Sequence, residues 1–215
     1  MLYLFTQGPY QIRLGNFTPE KQREMLNTYF KFTFVREPFE RLLSAYKDKF
    51  LNPRQIDWEW FGIYGRDILK TVRPNASKRA KAELNDITFR EFIEYVIKKS
   101  GDKVGLDWHW DNYLNICGMC AVDYDFLGHY ETFDQDLLDF KKKARLSPGD
   151  ATAFNLKFSK NRSDTASSML KYYSQIPLEW IDILGEIYRP SFEMFGYSFP
   201  GPLKSLYEKP DEMTL

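Results

Sequence analysis

The 215-residue sequence predicts a single α/β domain, and three stretches carry that reading. Tyr29 to Val35 is an aromatic and β-branched run, the composition of a strand covered on its faces. It leads through Arg36 and Glu37 to Pro38, after which Phe39, Leu42, Leu43, Tyr46 and Phe50 recur at helical spacing. Further along, the strand-like VDYDFLG lies between helical stretches. No linker or internal repeat marks a second domain. An aromatic content of 17% calls for a large packed interior and argues against disorder.

Thirty basic and thirty acidic residues cancel, so no global field draws the chain to nucleic acid or to an anionic membrane. A polyanionic substrate would have to meet a local basic patch. No run reaches the ~20 apolar residues that span a bilayer. MLYLFTQGPY is too short for a signal peptide and lacks its basic start. Cys117 and Cys120 are too few for a disulfide framework. The sequons at Asn16, Asn75 and Asn161 permit a secretory location without establishing one.

In chain order, residues 1–17 show no period and read as an irregular start. Thr18-Pro19-Glu20 has the form of a helix opening, with the helix running to about Asn27. Residues 52–87 are more polar and hold Lys78, Arg79 and Lys81. They read as a solvated helix and loop, or else as a shelf for an acidic glycan, with Arg54, Arg66 and Arg73 as further contributors. Thr88-Phe89-Arg90-Glu91 has the form of a capping box, and Phe89, Phe92, Ile93, Val96 and Ile97 mark a core helix stopped near Gly101. A helix is expected from Phe133 to Lys143, with Lys141, Lys142 and Lys143 at its negative end. Asn161-Arg162-Ser163 opens the next, with Met169, Tyr172 and Tyr173 inward. Pro177 starts the last, with Ile181, Leu184 and Tyr188 on one face. The tail from Pro200 is expected to fray.

Two places carry chemistry. A strand feeding a helix leaves backbone N–H groups and a positive dipole end at the joint. Arg36 at the strand end and Ser44 two turns into the helix could close around a phosphate, since the guanidinium fork matches phosphate oxygens. The competing reading pairs Arg36 with a carboxylate and turns Ser44 to solvent. The second place, Trp108 to Asp136, holds His109, Cys117, Cys120 and His129. As zinc ligands their order is unusual, and as a redox pair the cysteines stand at the end of a helical stretch, where a thioredoxin-like motif would open one. No GxxxxGK[ST] loop or GxGxxG turn occurs.

VREPFERLLSAYKDKF resembles the 3′-phosphate-binding motif of Golgi carbohydrate sulfotransferases of the chondroitin and dermatan 4-O-sulfotransferase type (sulfotransferase family 2). His109-Trp110, Cys117, Cys120, Tyr124-Asp125-Phe126-Leu127-Gly128 and Tyr130-Glu131-Thr132 match a second signature of that family. Met119 replaces its usual proline, and His129 a frequent lysine. IYRPSFEMFGY resembles the closing motif, with Ser191 in place of an acidic residue. The resemblance implies a P-loop-like sulfotransferase fold, a small parallel sheet flanked by helices, with a partial sulfotransferase domain over 18–199 and a tail over 200–215. It implies PAPS as sulfate donor, Arg36 and Ser44 as ligands of its 3′-phosphate, no metal, and a hydroxyl of a GalNAc-containing or related glycan as acceptor.

The family's upstream loop for the donor's 5′-phosphosulfate has no match between Met1 and Thr28. The chain therefore reads as N-terminally truncated, and a non-catalytic binding remnant is the alternative. The resemblance also implies the lumenal side of the Golgi membrane, through an anchor absent from this sequence. Sulfate transfer needs a base for the attacking hydroxyl and a cation at the leaving oxygen. His109 is the candidate base, with Glu131 and Asp125 behind it, and its competing reading is a core histidine between Trp108 and Trp110. No residue here presents itself as the cation. Arg162 reads as a surface arginine or as part of the cleft.

Overall fold

The computed structural model describes residues 3–4, 12–51, 64–83, 86–102, 105–149 and 162–208. Within these, the chain forms β1 (Tyr3–Leu4), β2 (Ile12–Arg13), α1 (Pro19–Thr28), β3 (Phe32–Val35) and α2 (Pro38–Tyr46), which runs into a π turn at Lys47–Leu51. There follow α3 (Arg66–Val72), α4 (Lys78–Glu83), α5 (Phe89–Lys99), α6 (Tyr113–Cys117), β4 (Phe126–His129), α7 (Phe133–Lys143), α8 (Arg162–Tyr173) and α9 (Leu178–Phe195). A 3-10 turn at Gly201–Leu206 closes the described chain. Two compact units result, one from 1–37 with 112–160, the other from 38–111 with 161–215.

In the first unit β3 and β4 pair in parallel, Phe32 opposite Phe126 and Val35 opposite His129. This is the small parallel sheet expected, with helices around it. Its ends are clamped. Asp125 accepts the Lys31 N–H at 2.7 Å and pairs with the Lys31 ammonium at 3.0 Å, while the Tyr130 N–H donates to the Val35 carbonyl at 2.7 Å. Phe133 and Phe140, two turns apart on α7, pack on the sheet. Phe140 meets Phe32 at 4.3 Å between ring centroids, and Phe133 meets Phe34 at 4.8 Å. Ahead of this core, β1 and β2 form a short antiparallel pair where the sequence suggested only an irregular start. Thr18 caps α1 as expected, accepting from the Lys21 N–H.

The second unit is helical. The apolar face of α2 (Phe39, Leu42, Leu43, Tyr46) joins Phe89, Phe92, Ile93 and Val96 of α5, Met169 and Tyr173 of α8, and Ile181, Leu184 and Tyr188 of α9 in one buried cluster. The Thr88–Glu91 capping box forms with both of its bonds. Buried tyrosines satisfy their hydroxyls on backbone carbonyls: Tyr173 on Phe39, Tyr46 on Ile87, Tyr188 on Trp110. The fraying expected from Pro200 does not occur over 200–208. Leu203 is fully buried in the cluster, and the Tyr207 hydroxyl donates to Asp182 at 2.8 Å. A short apolar turn with one leucine carries too little periodicity to be read from sequence.

Gly128 is where two strands permit no side chain. A Cβ there would collide with the ring of Phe34, which Phe126 and Phe133 hem in. Gly128→Ala is expected to cost about 1–3 kcal/mol through overpacking. A lower urea midpoint at constant m would show it. An unmoved midpoint would mean that the ring swings clear.

Candidate functional site

The strand-end side belongs to the first unit. Val35 ends β3, and the Arg36 N–H donates to the Tyr113 hydroxyl at 3.1 Å. The Arg36 guanidinium carbon stands 3.6 Å above the centre of the Tyr130 ring, within cation–π distance. One residue on, the Glu37 N–H donates to Glu131 at 2.7 Å. The N–H groups of Arg36 and Glu37 are thus engaged by side chains, which corrects the expectation of open donors at these two positions. The physical reason is their burial: Glu37 is only 5% exposed, and a buried N–H needs a partner.

These contacts also place the other carboxylates. Glu131 serves the joint, and Asp125 sits at the sheet's opposite end, its carboxyl held below the ordinary value by the backbone N–H and ammonium of Lys31. Thr132 donates to Asp136 at the start of α7, and Asp136 also accepts the His129 N–H.

Ser44 and His109 belong to the second unit. Ser44 is half-buried on α2, between Arg41 and Lys47 on successive turns. The Lys47 ammonium donates to the Ser168 hydroxyl on α8 at 2.9 Å. Arg41 reaches back to grip the loop after α5, donating to the carbonyls of Asp111 at 2.6 Å and Trp108 at 3.1 Å. His109 rides on that loop. Its Nδ1 lies 2.6 Å from an Asp107 carboxylate oxygen, which also accepts the His109 backbone N–H at 3.0 Å. The other Asp107 oxygen accepts the Tyr64 hydroxyl. The Trp108 indole lies against the imidazole, ring centroids 3.9 Å apart and planes tilted by 37°. The imidazole side chain is 17% exposed and the Asp107 side chain 8%.

Burial alone would raise the Asp107 carboxyl, but hydrogen bonds from His109 and Tyr64 outweigh it and hold the group below its ordinary 3.8. The Tyr64 phenol moves the other way, pushed up by burial and then by its bond to the carboxylate.

Other expected contributors are placed elsewhere. Arg73 is committed to Asp86 at 2.8 Å and Glu91 at 2.9 Å, and α4, with Lys78, Arg79 and Lys81, is solvated. Arg66 is exposed on α3, Arg54 lies outside the described residues, and Arg162 opens α8 with its side chain outside them. Cys117 ends α6, and Gly118 caps it with φ 59°. Among the described residues no group of three or more His, Cys, Asp or Glu could hold a metal ion. Nor is any helix there long and apolar enough to cross a membrane.

The sequence profile of the sulfotransferase family matches residues 7–198. The chain belongs to the sulfotransferase family. Among its relatives, carbohydrate sulfotransferase 8 of Mus musculus is 34% identical over 190 residues, covering 87% of this chain and 44% of that protein. Carbohydrate sulfotransferase 9 of Homo sapiens is 31% identical, covering 90% and 43%. Carbohydrate sulfotransferase 11 of Rattus norvegicus is 32% identical, covering 89% and 53%. This sulfotransferase chain therefore spans about half the length of the relatives it matches. No solved structure matches it.

Sequence reading of the sulfotransferase chain missed Asp107, Tyr64, Arg41, Tyr113 and Tyr130 as site residues. Asp107 left a local trace, two positions from His109, and Arg41 and Tyr130 stood inside the two motifs without a role of their own. A carboxyl held low in the folded state stabilises the fold above its unfolded value, and that contribution disappears as pH falls through the folded value. Asp107→Asn is expected to cost about 1.5–3 kcal/mol near neutrality by weakening charge-assisted bonds. The gap to wild type should then narrow as the pH drops below 3.8. Urea unfolding at the two pH values measures this, and a gap independent of pH would show that the charge on Asp107 is not what the fold uses.

Proposed function

We propose that this sulfotransferase chain transfers sulfate from PAPS to a hydroxyl of a GalNAc-containing glycan, of the chondroitin or dermatan kind, on the lumenal side of the Golgi membrane, with its anchor outside this sequence. The observation that carries the reading is the Arg36 joint. Arg36 and Glu37 of VREPF meet Tyr130 and Glu131 of YET there, far apart as the motifs are in sequence. Arg36 and Ser44 are proposed to hold the 3′-phosphate of the donor. The Arg36 guanidinium carbon lies 3.6 Å over the Tyr130 ring, and a guanidinium fork is the side chain whose geometry matches phosphate oxygens. The donor supplies an activated sulfuryl group when bound. His109 is proposed as the base that takes the proton of the acceptor hydroxyl. The glycan relatives and the neutral overall charge support an acceptor met locally, and no nucleic-acid partner is proposed.

The test is thermal unfolding with and without adenosine 3′,5′-bisphosphate, the donor's product. Ligand at ~100 times Kd adds about 2.7 kcal/mol to the folded state. In a domain of this size that raises the midpoint by roughly 5–10 °C. Arg36→Ala should lose the shift, and unchanged affinity in that variant would sink the site assignment. Transfer of labelled sulfate to desulfated chondroitin tests the reaction itself. Binding without transfer would favour a binding remnant.

A further inference from the structure

We infer that Asp107 is a positioning residue that fixes the tautomer and ring orientation of His109, with Tyr64 and Arg41 holding Asp107 and its loop in place. This rests on the reading of His109 as the base. An imidazole can act as a base through Nε2 only when its proton sits on Nδ1, and a neutral ring left to itself exchanges between the two forms. An ionised carboxylate 2.6 Å from Nδ1 can only accept a hydrogen bond, so it favours the form with the proton on Nδ1. The same oxygen takes the His109 backbone N–H at 3.0 Å, so the acid and the main chain of the residue it orients are tied together.

The carboxylate itself is held from the other side. Tyr64 donates to its second oxygen, which keeps Asp107 from rotating away from the imidazole. The loop is fixed at both flanks of His109, because the two arms of the Arg41 guanidinium end on the carbonyls of Trp108 and Asp111. The Trp108 indole covers one face of the imidazole. Ring rotation about its bonds is thereby opposed by a hydrogen bond at one edge and a tilted indole against one face.

In the reaction the acceptor hydroxyl gives its proton to Nε2. Its oxygen forms the new bond to sulfur, and the pair of the breaking S–O bond leaves with the phosphate oxygen of the PAPS donor. Asp107 then faces an imidazolium and remains ionised, because the imidazolium's charge favours its carboxylate form. No proton need pass to the carboxylate.

The experiment is nitrogen NMR of the chain labelled at histidine, at a pH where the rings are neutral. The sequence has two histidines, so His129 serves as an internal control, assigned with its Gln variant. Wild type should show His109 with a protonated Nδ1 and a bare Nε2. Asp107→Asn should lose that bias and leave His129 unmoved. Tyr64→Phe, which releases the second Asp107 oxygen, should weaken the bias in part, and it tests the inference on the same ring if the Asp107 variant does not fold. A wild-type ring protonated on Nε2, or a tautomer indifferent to Asp107, overturns the inference without touching the sulfotransferase reading.

Kinetics separates the two. With sulfate transfer measurable in wild type, Asp107→Asn should lower kcat by about 10²–10⁴ with little change in acceptor KM, the scale of a lost general base. Wild-type kcat in that variant would also overturn the inference. Transfer that survives in His109→Ala would overturn instead the assignment of His109 as base.

Discussion

The parallel pairing of β3 with β4 is the constraint on which the strand-end side of the site depends. Two strands so far apart in sequence form few bonds of their own, and parallel pairs cannot be joined by a tight turn. Their register is therefore secured at the ends. Lys31 and Asp125 lock one end through backbone and side chain together, and Val35 and Tyr130 lock the other. A one-residue slip would carry Phe32 and Phe34 to the wrong face and withdraw them from Phe140 and Phe133. It would also move Tyr130 from beneath Arg36 and Glu131 from the Glu37 N–H. The placement of the arginine is thus a consequence of register.

In the helical unit the equivalent constraint is aromatic packing finished by hydroxyls. Tyr188 is fully enclosed by the core, yet its hydroxyl donates to the Trp110 carbonyl, at the end of the loop that carries His109. Arg41 grips the same loop from the opposite, polar side of α2. One helix therefore buries Phe39, Leu42 and Leu43 on one face and positions a chemical loop with the other. Rigidity at the imidazole is supplied by the core beneath it, which is how a short irregular segment can hold a side chain in one geometry.

Local signals were legible in the sequence and non-local ones were not. Thr18 with Pro19, the Thr88–Glu91 box and the Phe133–Lys143 helix were readable because a few neighbouring residues determine them. The strand was expected from Tyr29 but pairs only from Phe32. Tyr29 and Phe30 are exposed, and Lys31 is spent on the clamp to Asp125. Helix α9 runs through Pro190. Buried Tyr188, Phe192 and Phe195 hold its turns on both sides of the proline, outweighing the one lost hydrogen bond. Arg36, Ser44 and His109 were visible as residue types, and Tyr130 stood in a signature without a stated role, but Tyr64 has no local mark. The role of each tyrosine is defined by what the fold brings against it.

That distinction gives the two motifs a physical connection. Read along the chain, VREPF and YET look like independent signatures, one for an anion and one without a stated task. In the fold the tyrosine of the second supports the arginine of the first, and the glutamate of the second satisfies the amide that follows that arginine. A cation at a strand end is mobile unless its stem or face is covered, and an amide buried beside it is costly unless it is bonded. Retaining Arg36 in an ordered position would therefore require retaining Tyr130 and Glu131 with it. A resemblance that included only one of the motifs would describe an arginine without the surroundings that make it a site.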